Sequence, residues 1–188
     1  MTPSQASHPD VPAQRHFILG GARSGKSAYA EQLALTQGGT ISYIATARIG
    51  DREFAERVAQ HQARRPAIWS LIEAPVDLGS ALDATGKKGQ VVLIDCLTLW
   101  MVNLLCPPDT DAPLADWQAR IDSFAEALAR TEATVLIVSN EIGLGVVPMG
   151  ALTRRYVDEL GRLNQRIAAS CQQVTLMVAG IPMAVKHA

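Results

Sequence analysis

Residues 20 to 27 read Gly-Gly-Ala-Arg-Ser-Gly-Lys-Ser and have the composition of a loop that binds phosphate groups. The apolar run 17–19 precedes them and the helix-forming residues 28–34 follow, which predicts a strand, a glycine-rich turn and a helix in that order. In such a loop main-chain amides turn towards a phosphate, and the helix directs its positive end at it. Lys26 would supply a mobile cation and Ser27 a hydroxyl for Mg²⁺. The predicted phosphate contacts are Gly20, Gly21, Ala22, Arg23, Ser24, Gly25, Lys26 and Ser27.

A glycine-rich surface turn is the alternative interpretation of this segment. The complete Gly-x4-Gly-Lys-Ser spacing between a strand and a helix favours a phosphate loop, or P-loop. We therefore expect the chain to bind a nucleoside triphosphate.

Asp95 comes directly after the apolar run 91–94 and is the candidate metal ligand. A carboxylate at the carboxyl tip of a buried strand can hold Mg²⁺ directly or through water, beside Ser27. The alternative is that Asp95 caps the helix that follows. The P-loop upstream favours the metal role, because the two oxygen donors would then lie at neighbouring strand ends.

His61 is the candidate nucleophile. It shares a predicted helical face with Phe54 and Val58, and Arg64 and Arg65 follow it. A single histidine on a partly apolar face is often packed or solvated, which is the alternative. A neutral imidazole can nevertheless attack an α-phosphorus, and nearby guanidinium groups can neutralise the developing charge. The pattern permits a covalent nucleotidyl intermediate.

Length and composition indicate one compact domain. The 188 residues are 48% hydrophobic, which is enough for a sizeable core. We expect residues 1–14 to form a flexible tail and 15–188 the domain. The net charge of −1 argues against a nucleic-acid partner, and no apolar run is long enough to cross a bilayer, so a cytoplasmic protein is expected. The three cysteines are far apart, which predicts reduced, mostly buried thiols.

Apolar runs of strand length alternate with helical patterns along the chain. The predicted strands are 17–19, 41–45, 67–72, 91–94, 135–138 and 174–178, and the predicted helices after the P-loop are 51–64, 76–84, 115–130 and 153–171. This alternation predicts an α/β fold of the P-loop NTPase type, with a mostly parallel sheet and helices on both faces. Ligands of such sheets bind beyond the carboxyl ends of the strands.

Several longer blocks carry a family resemblance that extends from Phe17 to Lys186. They are the P-loop, Tyr43-Ile44-Ala45-Thr46-Ala47, Arg57-Val58-x-x-His61 with Arg65-Pro66 and Trp69, Asp95-Cys96-Leu97-Thr98-Leu99-Trp100, and Ser139-Asn140-Glu141-Ile142-Gly143-Leu144-Gly145-Val146-Val147-Pro148. On these blocks the chain resembles the bifunctional adenosylcobinamide kinase/adenosylcobinamide-phosphate guanylyltransferases of cobalamin biosynthesis. A general P-loop kinase has no reason to carry the last two blocks.

The resemblance implies two reactions. A hydroxyl of adenosylcobinamide would take the γ-phosphoryl group of ATP or GTP, and GTP would then guanylylate His61. Adenosylcobinamide phosphate would accept the GMP and become adenosylcobinamide-GDP. The resemblance also implies Mg²⁺, a homo-oligomer such as a trimer, and further nucleotide contacts, which are Ala45, Thr46, Ala47, Gln62, Ala63, Arg64, Arg65 and Glu73.

Glu73 is the candidate for a guanine edge or a ribose, since a carboxylate can accept from the guanine N1 and N2 donors. A surface or helix-capping glutamate is the alternative. Asn140 and Glu141 follow the fifth strand at the same edge and receive no firm role from the sequence.

Two rival functions are also compatible with a P-loop. The first is a P-loop kinase of another small alcohol, in which His61 is structural. The second is a GTP-dependent switch protein, which the sequence disfavours because no Asn-Lys-x-Asp motif follows an apolar strand.

Overall fold

The structure is a computed structural model, and it describes residues 13–48, 66, 68–108, 110 and 112–187. Its elements in chain order are β1 (Arg15–Gly20), α1 (Lys26–Gln37), β2 (Thr40–Ala45), β3 (Ser70–Glu73), α2 (Leu78–Thr85), β4 (Gln90–Asp95), α3 (Leu97–Leu105), α4 (Trp117–Arg130), β5 (Thr134–Val138), α5 (Ala151–Ser170), β6 (Gln173–Val178) and β7 (Ile181–Lys186).

The strands form one sheet in the order β3-β2-β4-β5-β1-β6-β7. Neighbouring strands are parallel from β3 to β6, and β7 alone runs antiparallel, against β6. The carboxyl ends of β1, β2, β4 and β5 therefore lie on one edge of the sheet. The predicted α/β class and the mostly parallel sheet are confirmed.

Both faces of the central strands are buried, which explains why these strands are apolar throughout instead of alternating. On β4, Val92 and Ile94 join the core under helices α2 to α5, whereas Val91 and Leu93 join the core under α1. Tyr43 of β2 belongs to the α1 side. Side chains at alternate positions of a strand share a face, so Asp95 is on that side too.

The apolar stripes of the two longest helices pack as their spacing predicts. Phe124 and Leu128 of α4 are completely buried, as are Leu160 and Ile167 of α5. The ring of Phe124 meets that of Trp100 of α3 edge to face, with centroids 5.4 Å apart. Among the helices that the structure describes, none combines the length and apolarity of a membrane span.

Four expectations differ from the structure. Helix α3 and strand β7 were not predicted, and the strand expected over 67–72 begins at Ser70, after a turn at Ile68 and Trp69. The thiols are free, but Cys171 is buried while Cys96 and Cys106 are partly exposed. The helix predicted over 51–64 lies outside the described residues.

Candidate active site

The P-loop connects β1 to α1 in a backbone shape that its glycines allow. Gly25, just before α1, has φ of +94°, and a Cβ there would lie 3.3 Å from Gly180 Cα. Arg23 is also left-handed, at φ of +57°, and its side chain is exposed. Non-glycine residues seldom adopt this conformation, and they concentrate at functional loops when they do. This backbone conformation favours a functional loop over a simple surface turn.

Lys26 lies inside the curve of this loop. Its Nζ donates to Gly21 O at 2.6 Å and lies 3.4 Å from Ser24 Oγ, and the residue is 8% exposed. Burial lowers the pKa of Lys26, while the nearby Cys96 and Asp95 act in the opposite direction. The ammonium group is therefore held at the loop and is influenced by the Asp95 carboxylate.

The β6–β7 hairpin supports the P-loop from the outside. Ala179 and Gly180 both have positive φ, at +50° and +82°, which is the geometry of a two-residue type I′ turn. Gly180 N donates to Ser24 O at 3.0 Å, and a Cβ on Gly20 would lie 2.6 Å from Met177 O. The close approach of strand β6 at Met177 explains why glycine stands at the first P-loop position.

Asp95 ends β4 as predicted and is half-buried. Its Oδ2 accepts a hydrogen bond from the Tyr43 hydroxyl, with the two oxygens 2.9 Å apart. The N-cap position of α3 is held by Cys96, so Asp95 is not the capping residue of the next helix. The carboxylate lies at the sheet edge, near Lys26.

A buried network lies beside Asp95. Thr46 is completely buried, and its Oγ1 accepts from Cys96 N at 2.9 Å and donates to Cys96 O at 2.7 Å. Asn103 of α3 donates from Nδ2 to Thr46 O at 2.7 Å and to Pro75 O at 2.9 Å. Burial chiefly, together with Asp95, raises the pKa of the Cys96 thiol to about 12. These groups fix the chain on the carboxyl side of Asp95.

The chain leaving β5 is attached to both the P-loop and the helices. Glu141 N donates to Gly20 O at 3.1 Å. Asn140 N donates to Thr98 Oγ1 at 2.7 Å, and Asn140 O accepts from Asn164 Nδ2 at 3.1 Å. Asn140 and Glu141 therefore lie next to the P-loop, because β5 is hydrogen-bonded to both β1 and β4.

The other predicted nucleotide contacts are distributed unevenly. Ala45 pairs with Asp95 on one side and with Glu73 on the other, and Glu73 is exposed at the end of the sheet-edge strand β3. Four strand spacings separate β3 from β1, roughly 19 Å. Ala47 follows the network just described and is half-buried.

The predicted nucleophile and its neighbours lie outside the described residues. These are His61, Gln62, Ala63, Arg64 and Arg65. Their roles stay predictions.

The oxygen donors near the P-loop suit Mg²⁺. Ser27 offers a hydroxyl and Asp95 a carboxylate, and within the described ranges no cluster of three His, Cys, Asp or Glu side chains could hold a metal ion. Mg²⁺ is commonly held by one or two carboxylates with substrate phosphates and waters, instead of by a cage of protein groups. The donor set fits that pattern.

Sequence reasoning did not single out two residues at this edge. Tyr43 lies within a quoted block but received no role, because its contact with Asp95 depends on strand order. Gly180 could have been found as a turn residue, because it is a glycine between two apolar runs.

Comparisons with known proteins agree with this geometry. A sequence profile of the family described as cobinamide kinase / cobinamide phosphate guanyltransferase matches residues 16–185. The chain is 49% identical over 172 residues to the bifunctional adenosylcobalamin biosynthesis protein CobP of Pseudomonas aeruginosa, covering 92% of this chain and 97% of that protein. It is 37% identical over 179 residues to CobU of Escherichia coli, covering 90% and 98%.

A solved structure supports the fold. The flagellar accessory protein FlaH of Methanocaldococcus jannaschii superposes with a TM-score of 0.51 at 14% identity, over 94% of this chain and 80% of that one. At this identity the likeness concerns the fold alone.

Proposed function

The chain belongs to the cobinamide kinase / cobinamide phosphate guanyltransferase family, and from this premise we propose that one phosphate site serves both of the family's reactions. The protein is a bifunctional enzyme of adenosylcobalamin biosynthesis. The observation that supports a shared site is the position of Lys26, inside the P-loop and within the electrostatic influence of Asp95.

In the kinase reaction, the P-loop amides and Lys26 bind the β- and γ-phosphates of ATP or GTP. The hydroxyl oxygen of adenosylcobinamide attacks the γ-phosphorus, and the bond from that phosphorus to the β,γ-bridging oxygen breaks. The nucleoside diphosphate leaves, and the hydroxyl proton passes to solvent. Lys26 stabilises the charge that develops on the bridging oxygen.

Ser27 and Asp95 are the residues that would hold Mg²⁺. When bound, this ion neutralises phosphate charge. Asp95 is kept at the edge of the sheet by the Thr46–Cys96 hydrogen bonds on its carboxyl side. These bonds fix the main chain next to Asp95, so the carboxylate is attached to a rigid part of the sheet edge.

In the guanylyl transfer, the same groups bind the β- and γ-phosphates of GTP, which now leave as pyrophosphate. An imidazole nitrogen of His61 attacks the α-phosphorus, forming a phosphorus–nitrogen bond as the bond to the α,β-bridging oxygen breaks. The phosphate of adenosylcobinamide phosphate then attacks the same phosphorus, the phosphorus–nitrogen bond breaks, and adenosylcobinamide-GDP forms. Arg64 and Arg65 would neutralise charge at the α-phosphate.

Labelling with GTP carrying radioactive phosphorus at the α position tests this proposal. We expect the wild-type protein to retain label in an acid-labile, alkali-stable bond, as a phosphoramidate would. His61→Ala should lose the label and keep measurable kinase turnover. His187→Ala, at an exposed residue after β7, is the matched control and should label normally. Label retained by folded His61→Ala would refute the assignment, and absence of label from the wild type would favour a kinase-only enzyme.

The base site and the assembly complete the proposal. Glu73, Gln62 and Ala63 would contact the guanosine, together with the turn at 45–47. We also propose a cytoplasmic homo-oligomer, with the trimer as the form to test. Light scattering on the purified protein measures its mass directly, and a monomer at micromolar concentration would contradict this part.

A further inference from the structure

Tyr43 has a contact that its place in the core does not require. Its side chain is 4% exposed and belongs to the apolar cluster under α1. A phenylalanine would fill that apolar space as well. The hydroxyl, however, reaches the end of β4 and lies 2.9 Å from Asp95 Oδ2. A buried tyrosine hydroxyl needs a hydrogen-bond partner, and this one uses the carboxylate assigned to the metal.

The register of the sheet brings the two groups together. Tyr43 pairs with Leu93, two residues before Asp95, and alternate residues of a strand point to the same face. The phenol ring therefore lies along the strand on the same side as the carboxylate. Trp69 stacks on it, with ring centroids 6.5 Å apart and planes at 30°. The phenol is held between a tryptophan ring and Asp95.

We propose that Tyr43 is the positioning residue for Asp95, fixing the rotation of its carboxylate so that the other oxygen, Oδ1, is directed to Mg²⁺. This inference rests on the proposed role of Asp95 as a metal ligand. A hydroxyl that donates to a ligating carboxylate orients it, and loss of such a partner usually weakens metal binding by about 10- to 100-fold. A carboxylate without this bond would rotate among several orientations.

The test measures metal affinity separately from activity. Mn²⁺ serves as the metal probe, and its dissociation constant is measured by electron paramagnetic resonance on the full chain saturated with GDP. Tyr43→Phe keeps the ring and removes the hydroxyl. We expect Mn²⁺ binding to weaken by about 10-fold. GDP affinity in the presence of a chelator should stay at the wild-type value.

Two companion variants separate the possible causes. Tyr156→Phe removes another half-buried tyrosine hydroxyl, one that donates to Thr98 O at 3.0 Å, and should leave Mn²⁺ affinity unchanged. Asp95→Asn should weaken Mn²⁺ binding at least as much as Tyr43→Phe. If Asp95→Asn has no effect, the metal role of Asp95 fails together with this inference. If Asp95→Asn weakens binding and folded Tyr43→Phe does not, the inference about Tyr43 alone is overturned.

The kinase assay supplies a second measure. The Mg²⁺ concentration for half-maximal rate should rise in Tyr43→Phe, while kcat at saturating Mg²⁺ stays close to wild type. A fall in kcat with unchanged Mg²⁺ dependence would contradict positioning. Should Tyr43→Phe not fold by circular dichroism, Trp69→Leu replaces it as the test. This variant removes the ring that stacks on Tyr43, and its Mn²⁺ affinity should fall, by less than in Asp95→Asn. Unchanged affinity there would overturn the inference.

Discussion

Two groups of polar residues lie on the same edge of the sheet and differ in their hydrogen-bond partners. The phosphate rim comprises Gly20–Ser27 and Asp95, and its loop turns through left-handed residues around the Lys26 ammonium. The closed rim comprises Thr46, Cys96, Thr98, Asn103 and Asn140, whose polar groups bond to one another and to main-chain groups. Apart from Asn103, the residues of both rims come from blocks that carry the family resemblance.

A sequence block that is typical of a family can therefore consist mostly of residues that bond to other protein groups. In the segment from Asp95 to Trp100, only the first residue belongs to the phosphate rim as defined above. Cys96 and Thr98 serve the closed rim, and Trp100 donates from its indole to Val76 O at 2.8 Å. Most of the block thus holds the loops that surround the site.

Among the substitutions considered, replacing Lys26 in the phosphate rim should have the largest effect on activity. Lys26→Ala removes the cation that both reactions need at the β- and γ-phosphates, and we expect each kcat to fall by about 10²- to 10³-fold. Steady-state assays of both activities measure this. Lys87→Ala is the control, because Lys87 is exposed near the amino end of β4, away from the rim. Loss of one activity without the other would refute a shared site.

Replacing Thr46 should break the closed rim. Thr46→Val keeps the shape and removes the hydroxyl, leaving Cys96 N and Cys96 O without this partner in a buried place. The free energy of unfolding should fall by about 1–3 kcal/mol, measured by urea denaturation. Thr36→Val, at an exposed hydroxyl of α1, should change it by less than about 0.5 kcal/mol.

The outcome also tests the boundary between the two rims. Nucleotide affinity per folded molecule should be unchanged in Thr46→Val. Undiminished stability together with lost GTP binding would move Thr46 to the phosphate rim, where the resemblance places it.

Sequence reasoning predicted the strand, the loop and the strand-end position of Asp95 because their signals are local. The spacing from Gly20 to Ser27 and the apolar run before Asp95 each lie within a few residues. The expectation that Ser27 and Asp95 lie at neighbouring strand ends is wrong, because β5 lies between β4 and β1. The closed rim could not be predicted in this way. The Thr46–Cys96 bond joins residues 50 apart in sequence, and Tyr43–Asp95 joins residues 52 apart. Such contacts form because β2 lies beside β4, and no local sequence pattern indicates which strands are neighbours.

The missed elements have similar causes. Helix α3 is apolar on nearly all sides, with Leu97, Trp100, Met101 and Leu104 all buried, so it lacks the polar face by which amphipathic helices are recognised. Strand β7 is exposed along its length and antiparallel, unlike the buried strands that the apolar runs identified. The glycine turn signal at Gly180 does precede this strand in the sequence.

Gly25→Ala tests whether the contact with the β6–β7 hairpin determines the shape of the P-loop. Gly25 and Gly38 both have positive φ, +94° and +69°, so an alanine at either position should cost about 1–3 kcal/mol of unfolding free energy. Only at Gly25 does a Cβ meet another chain segment, Gly180 at 3.3 Å, whereas a Cβ at Gly38 finds nothing within 4 Å. Gly25→Ala should therefore weaken binding of a fluorescent GDP analogue and Gly38→Ala should not. Equal affinities would show that the hairpin contact does not shape the loop.

The smallest expected effect concerns His16, on the same strand as the P-loop but near its amino end. Burial lowers the pKa of His16 from 6.5, and its Nε2 lies 2.7 Å from Thr175 Oγ1. The folded state therefore favours the neutral ring, so His16 contributes stability above pH 6.5 that is lost as pH falls below that value. Urea denaturation from about pH 8 to about pH 5 should show this loss, and His16→Gln should reduce the slope. His187→Gln, at an exposed histidine, should retain it. An unchanged slope in His16→Gln would mean that the pKa of His16 does not change on folding. The pH dependence of stability would then arise from other groups.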